Sequence, residues 1–249
     1  MSQNILLLTA TINSRKGIPA LSRLDPDQRR ADYARAFRFY LGLLGRPLDK
    51  IVLVENSASD LTDLERLARE AGAADRVELI SFFGQDFPPE YGRAYSEFRT
   101  IDHATERSET LRGGDRIIWK MTGRYLVRNL PRIIAKRPET FDLYCNMRNY
   151  PSRWADMYLL AWTGVGYEGV LKGLAPRLRQ DAGAGSPEEE FWRVIDEAGR
   201  HYKIVPRFRQ IPYIDGIRGF DNKNYMEESG RWKFMARRIA LYVAPWLWI

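Results

Sequence analysis

Short apolar runs punctuate the first half of the chain, and between them apolar residues recur at helical spacing. Ile5-Leu6-Leu7-Leu8 and Ile51-Val52-Leu53-Val54 are continuous apolar runs bounded by polar residues, the pattern of strands buried on both faces. Val77 to Phe82 reads as a third strand and Ile117-Ile118-Trp119 as a fourth. After the first run, Asp25-Pro26 pairs a capping residue with proline at the first helical position, and Tyr33, Ala36, Phe37, Tyr40, Leu41 and Leu44 follow at helical intervals. After the second, Asp60 is placed to cap a helix over about Leu61 to Ala71, with Leu64, Leu67 and Ala68 on one face.

Tyr91 to Leu111 is a long helical segment broken by Gly113-Gly114, and a further helix begins near Val127, with Pro131 in its first turn, and passes Ile134. Asp181 to Pro187 is a loop, from which Ser186 caps a helix opening on Pro187, Glu188, Glu189 and Glu190; acidic residues there favour the helix dipole. Strands alternating with helices predict an α/β fold with a mostly parallel sheet flanked by helices.

Composition narrows the function. Of 249 residues, 45% are hydrophobic, enough for a packed core. The formal charge of +7 suits an anionic partner: a nucleotide diphosphate, an acidic lipid surface or a nucleic acid. A lone cysteine, Cys145, excludes an internal disulfide, and no Cys/His cluster suggests zinc. The histidines, His103 and His201, stand in separate helices without partner motifs and read as structural or solvent-exposed. No nucleophile elbow or P-loop occurs. Met1-Ser2-Gln3-Asn4 lacks a basic leader start, and no apolar stretch is long enough to span a bilayer. A cytoplasmic location, peripheral at the inner face of the plasma membrane, is expected.

In open α/β sheets ligands bind beyond the carboxyl ends of the strands. Three polar runs fall there: Thr9-Ala10-Thr11, leading to Asn13; Glu55-Asn56-Ser57; and Lys120-Met121-Thr122-Gly123-Arg124-Tyr125. Lys120 and Arg124 have the charge to neutralise a diphosphate, and Gly123 admits close backbone approach. A solvated turn is the plainer reading of the same residues. Glu55 is placed to accept from a base or ribose, or simply to close a turn. Gly92-Arg93 opens a helix whose N-terminus suits a phosphate.

Together these segments resemble bacterial glycosyltransferases of the GT-A type, close to groups found in O-antigen and capsule gene clusters. The resemblance rests on Val54-Glu55-Asn56-Ser57 with Asp60; Gly92-Arg93-Ala94-Tyr95-Ser96-Glu97; Lys120 to Tyr125; Arg153-Trp154-Ala155-Asp156; and Ile214-Asp215-Gly216-Ile217-Arg218-Gly219 with Tyr225. It implies a GT-A-like domain over residues 1–228, with a nucleotide-sugar half to about 135 and an acceptor half over about 136–228. The donor site would take Thr9, Thr11, Asn13, Glu55, Asn56, Ser57, Gly92, Arg93, Thr122, Gly123 and Tyr125. Arg148, Arg153 and Trp154 would hold a lipid-linked saccharide acceptor. Members usually carry an Asp-x-Asp that binds Mg²⁺ or Mn²⁺. The only such string here, Asp25-Pro26-Asp27, lies at a helix cap. No metal site or cofactor is therefore expected, and Lys120 and Arg124 stand in for the ion as charge develops on the leaving diphosphate. Asp156 is the first candidate for the base that takes the acceptor proton, Glu97 the second.

Residues 229–249 carry Arg231, Lys233, Arg237 and Arg238 among Phe234, Leu241 and three tryptophans. The spacing predicts a basic amphipathic helix on an anionic membrane surface; a helix docked on the core is the alternative. Two rival functions remain open. A nucleic-acid-binding protein or nuclease fits the charge but lacks a reader motif and a basic stripe, so no nucleic acid partner is expected. A non-catalytic scaffold with a transferase fold fits the missing Asp-x-Asp.

Overall fold

The computed structural model describes residues 2–183, 185–225, 227–244 and 246–248. Met1, Ala184 of the predicted loop, and Pro245 and Ile249 of the predicted tail lie outside the described residues. In chain order the main elements are β1 (Gln3–Ala10), α1 (Pro26–Leu41), β2 (Lys50–Glu55), α2 (Thr62–Glu70), β3 (Val77–Ser81), α3 (Gly92–Arg107), β4 (Arg116–Thr122), β5 (Leu126–Val127), α4 (Leu130–Ala135), β6 (Leu143–Arg148), β7 (Trp154–Trp162), α5 (Gly164–Gly166), α6 (Pro187–Ala198), β8 (Ile204–Val205), β9 (Ile214–Asp215) and α7 (Glu228–Val243).

A seven-stranded sheet runs in the order β3-β2-β1-β4-β7-β6-β8. The β1/β2, β1/β4, β2/β3 and β6/β8 pairs are parallel; β4/β7 and β6/β7 are antiparallel. The fold is thus α/β with a mostly parallel sheet, and helices cover both faces. Leu6 and Leu8 of β1 pack with Tyr33, Phe37 and Tyr40 of α1 on one face. Ile5 and Leu7 pack with Phe98 and Ile101 of α3 on the other. Burial on both sides explains why β1 reads as an unbroken apolar run. The order of connections reverses between β1 and β4, which makes their carboxyl ends the switch point of the sheet.

Helix starts follow their local chemistry. Asp25 accepts from the backbone N–H groups of Asp27 (2.9 Å) and Gln28 (3.0 Å). Ser186 and Glu189 form a reciprocal capping box at α6. Asp60 accepts from the Thr62 N–H at 3.1 Å, just ahead of α2.

Three elements depart from the sequence pattern. β4 continues three residues past Trp119, because Lys120 finds a buried partner and need not reach solvent. Leu126-Val127 pairs with Ile214-Asp215 as a short ribbon, so the next helix begins only at Leu130. β6 and β7 interleave polar with apolar residues around Arg148 and Asp156, which hid two central strands inside a stretch that reads as a binding loop. The halves divided near residue 135 therefore share one continuous sheet.

In α7 the partly buried side carries Phe234, Arg237 and Leu241, with Phe234 against Tyr213 at 5.1 Å between ring centroids. The exposed stripe is instead Trp232, Met235, Ile239, Tyr242 and Val243. Phe234 and Leu241 thus belong to the docked face, a correction to the face assignment expected from spacing. Beyond the helix, Trp248 is tied to the β6–β7 turn: its carbonyl accepts from Asn149 N–H at 2.9 Å, and its own N–H donates to Asn149 Oδ1 at 2.9 Å. Among the described residues no helix is long and apolar enough to cross a membrane.

Candidate active site

A cavity of about 340 Å³ opens at the carboxyl ends of β1 and β4. Its floor is a polar knot. Glu97, reaching in from α3, accepts from Thr9 Oγ1 and Thr122 Oγ1, each at 2.9 Å, which links the ends of the two strands. Lys120 forms an ion pair with the same carboxylate and donates to the Met157 carbonyl at 2.6 Å. Burial pushes the Glu97 carboxyl up, but the Lys120 ammonium and its hydrogen bonds outweigh this and hold it below the ordinary value. Burial lowers Lys120, partly offset by Glu97.

The position of Lys120 corrects the sequence reading. It is fully buried within β4, beneath the cavity and not on its wall, so it cannot touch a diphosphate. Period-2 alternation turns its side chain toward α3, where Glu97 waits. Glu55 is corrected likewise. It is fully buried and accepts from the N–H groups of Ile12 (2.8 Å), Ser57 (2.9 Å) and Ser59 (2.9 Å), and from the Ser57 hydroxyl. Those donors use the capacity of both oxygens, so Glu55 ties the loops after β1 and β2 together and has none left for a ribose. Ser57 and Asn13 belong to the same lattice, with Asn13 N donating to Ser57 Oγ at 2.9 Å, and neither reaches the cavity.

Two glycines shape the walls without lining them. A Cβ on Gly123 would stand 2.8 Å from the Thr9 carbonyl. Gly92, at φ +82°, lets the chain turn into α3 where a Cβ would strike Gln180 at 2.8 Å. Arg153 also stands apart, with its guanidinium 4.8 Å from the Trp192 ring centroid.

The remaining sequence candidates meet on the cavity wall: Thr9, Thr11, Asn56, Arg93, Glu97, Thr122, Arg124, Tyr125, Arg148, Trp154 and Asp156. Thr11 donates to Asn56 (2.7 Å), which donates in turn to Ser96 (3.0 Å) and Thr100 (2.8 Å) of α3. Arg124 is held by the Ile217 carbonyl (2.9 Å) and the Tyr125 hydroxyl (3.1 Å), under the 214–225 segment. Arg93 differs: among the described residues it makes no hydrogen bond or ion pair. It stands exposed in the first turn of α3. Opposite, Asp156 accepts from Arg148 (2.6 Å), Asn146 (2.7 Å) and the Tyr158 hydroxyl (3.3 Å). Its ion pair is with Arg148 across the β6–β7 hairpin, not with its sequence neighbour Arg153.

Sequence reasoning missed several wall residues. Arg29 and Tyr33 of α1 close one side; Arg29 donates to the Thr11 carbonyl at 2.6 Å and to the Tyr33 hydroxyl at 3.2 Å. The helical spacing that marked Tyr33 as core gave no sign of that hydroxyl's role. Tyr158, Tyr225 and Glu188 complete the opposite wall. Burial raises the Glu188 carboxyl above its ordinary range; its own N–H and Arg93 oppose this, while Asp156 and Glu97 add to it.

The cavity does not fit the metal that the GT-A resemblance implies. Asp25 is spent on the α1 cap and, with Asp27, lies off the cavity wall. Asp156 has both oxygens engaged, by Arg148 on one and Asn146 and Tyr158 on the other, and Glu97 has Oε1 engaged by Lys120, Thr9 and Thr122. Among the described residues no group of three or more His, Cys, Asp or Glu is arranged as ligands.

No protein-family model matches the chain, and no curated protein does. Solved structures do resemble it in outline. The galactosyltransferase LgtC, held with donor and acceptor sugar analogues, aligns at TM-score 0.48 and 10% identity over 82% of this chain and 73% of its own. A candidate nucleotide-diphospho-sugar transferase from Desulfovibrio desulfuricans G20 aligns at 0.46 and 12% over 83% and 80%. The inositol-1-phosphate CTP transferase of T. maritima aligns at 0.46 and 15% over 98% of both chains. Likeness of this degree extends to the outline of the fold, and residue roles are argued from the geometry above.

Proposed function

We propose that this chain transfers a sugar from a nucleotide-sugar donor to a saccharide acceptor held at an anionic membrane surface, as in O-antigen or capsule synthesis. The observation that carries the reading is Arg93, a cation with no ion pair among the described residues, in the first turn of a 16-residue helix and lining the same switch-point cavity as Arg124. Helix N-terminus and guanidinium together suit a diphosphate whose charge grows as the sugar departs. Arg93 takes the part first given to Lys120, and the pair of arginines takes the place of a divalent ion. Thr11 and Asn56 border the donor side; Trp154, Arg148 and Asp156 border the acceptor side, where an aromatic face and a charged pair suit a sugar.

The test is a thermal-shift and turnover panel of UDP, GDP, CMP and dTDP sugars, in EDTA and in Mn²⁺. One nucleotide class is expected to stabilise the protein and to be hydrolysed slowly in EDTA. Activity that vanishes in EDTA and returns with Mn²⁺ overturns the metal-free part; no shift with any donor overturns the whole.

The membrane part rests on α7. Trp232 is 77% exposed, in one stripe with Ile239 and Tyr242, and Arg231 and Arg238 lie along its margin. No acidic residue follows Glu228, so the patch complements an anionic bilayer. Trp232→Ser with Ile239→Ser is expected to weaken binding to phosphatidylglycerol vesicles by roughly tenfold or more, with the fold intact because neither side chain packs inward. Equal binding by the variant removes the membrane from the proposal.

A further inference from the structure

Three carboxylates face the cavity, and two are already committed. Glu97 carries an ion pair with Lys120 and two threonine hydroxyls, all at Oε1; Asp156 carries Arg148 on one oxygen and Asn146 and Tyr158 on the other. A carboxylate held in its charged form by a fixed cation and donors is a poor proton acceptor, because protonation gives up the attraction of that cation and weakens charge-assisted hydrogen bonds. The third is Glu188. It stands in the first turn of α6, where three successive glutamates have three fates. Glu189 reaches back to the Ser186 N–H at 3.0 Å. Glu190 turns outward to Arg177 (2.7 Å) and Arg193 (2.8 Å). Glu188 alone lines the cavity, and among the described residues no other side chain donates to it.

We infer that Glu188, and not Asp156, is the catalytic base that accepts the acceptor's hydroxyl proton. The inference rests on the proposed sugar transfer and assigns one of its steps. The acceptor oxygen forms a bond to the anomeric carbon as its proton passes to a Glu188 oxygen. The bond between that carbon and the diphosphate oxygen breaks, and its electron pair leaves with the nucleoside diphosphate beside Arg93. The displacement is in line, so the anomeric configuration inverts. Burial by the wall, with the charges of Asp156 and Glu97 nearby, makes Glu188 a stronger base than an ordinary carboxylate. Asp156 is then a positioning residue, fixing Arg148 and Tyr158 against the acceptor.

The test uses the full-length protein, with the donor found by thermal shift and a saccharide acceptor that it turns over. Glu188→Gln is expected to lower kcat by about 10²- to 10⁴-fold, with the donor-induced thermal shift kept and the acidic limb of the kcat–pH profile abolished. Glu188→Asp is expected to recover part of the rate with a displaced acidic limb, which a merely structural role does not predict. The product is expected to show inverted configuration. A Glu188→Gln protein that folds and transfers within threefold of wild type overturns the assignment, as does a retained configuration. If wild-type protein binds no nucleotide sugar at all, the sugar-transferase reading fails first, and this step falls with it.

Discussion

Two glutamates face the same cavity from the two helices α3 and α6, and their surroundings give them opposite properties. Glu97 sits over the β1/β4 switch point with Lys120 and two threonine hydroxyls on one oxygen, and its carboxyl is held down. Glu188 lines the same cavity with no side-chain donor among the described residues, and burial pushes its carboxyl up against the pull of Arg93. Both are part of one pocket, yet one is a joint and the other is a reactive group. What separates them is how many donors each already holds, and that is a property of packing that residue type does not reveal.

The sharpest way to break this contrast is at Lys120. Lys120→Met leaves the Glu97 carboxylate facing its threonines without its cation. Breaking a buried pair from one side costs about 3 kcal/mol, the low end because Glu97 also borders the cavity. Urea unfolding at pH 7 measures it. Adding Glu97→Gln to Lys120→Met removes the orphaned charge and is expected to recover part of that loss. If Lys120→Met is as stable as wild type, the knot is not what joins β1 to β4. If it is stable but binds donor tenfold more weakly, Lys120 reaches the ligand after all.

Arg93 tests the opposite kind of residue, one that makes no hydrogen bond or ion pair among the described residues. Arg93→Ala removes nothing the fold uses, so stability is expected to stay within about 0.5 kcal/mol. Donor affinity is expected to fall about 10- to 100-fold, the worth of roughly 1.5–3 kcal/mol for a hydrogen bond to a charged group. Titration calorimetry with the best nucleotide sugar reads it. Arg124→Ala is expected to lose both stability and affinity, since its guanidinium also secures the Ile217 carbonyl.

Much of this was legible in the sequence, and the failures have one cause. Ile5–Leu8 and Ile51–Val54 announced doubly buried strands, and Asp25-Pro26 and Ser186-Pro187 announced helix starts, because each signal depends on neighbours in the chain. Gly92-Arg93 and Thr122-Gly123-Arg124 were found from their place after strands and at a helix start. Lys120 and Glu55 were misplaced because a charged residue after an apolar run reads as a loop unless a partner distant in sequence buries it. Glu97 is 23 positions from Lys120, and Ile12 is 43 from Glu55. Glu188 was hidden differently. Three adjacent glutamates in a first turn all satisfy the helix dipole, and only the packing of α6 against β7 decides which one turns inward. Asp156 was found by its setting of Arg and Trp, although its cation proved to be Arg148 across a hairpin whose strands were not foreseen.

The smallest effect bears most directly on the two glutamates, because it is one of sign. A carboxyl lowered in the folded state adds stability above its unfolded value, and that addition is lost as pH falls through the folded one. Glu97→Gln is therefore expected to unfold more easily than wild type at neutral pH, with the gap closing in acid. A carboxyl raised in the folded state does the reverse. Its stabilising share is present below the unfolded value and is lost as pH rises through the folded value, because the charge must then be kept in a dry wall. Glu188→Gln carries no such charge and is expected to match wild type in acid and to equal or exceed its stability at neutral pH. A stability profile over pH 3.5 to 8 for the two variants, measured side by side, separates the cases. An active-site glutamine that gains stability while it loses turnover is the signature of a group held uncomfortably for chemistry. Should both variants lose stability in parallel as pH rises, Glu188 is a second structural joint, and the division between the two glutamates is gone.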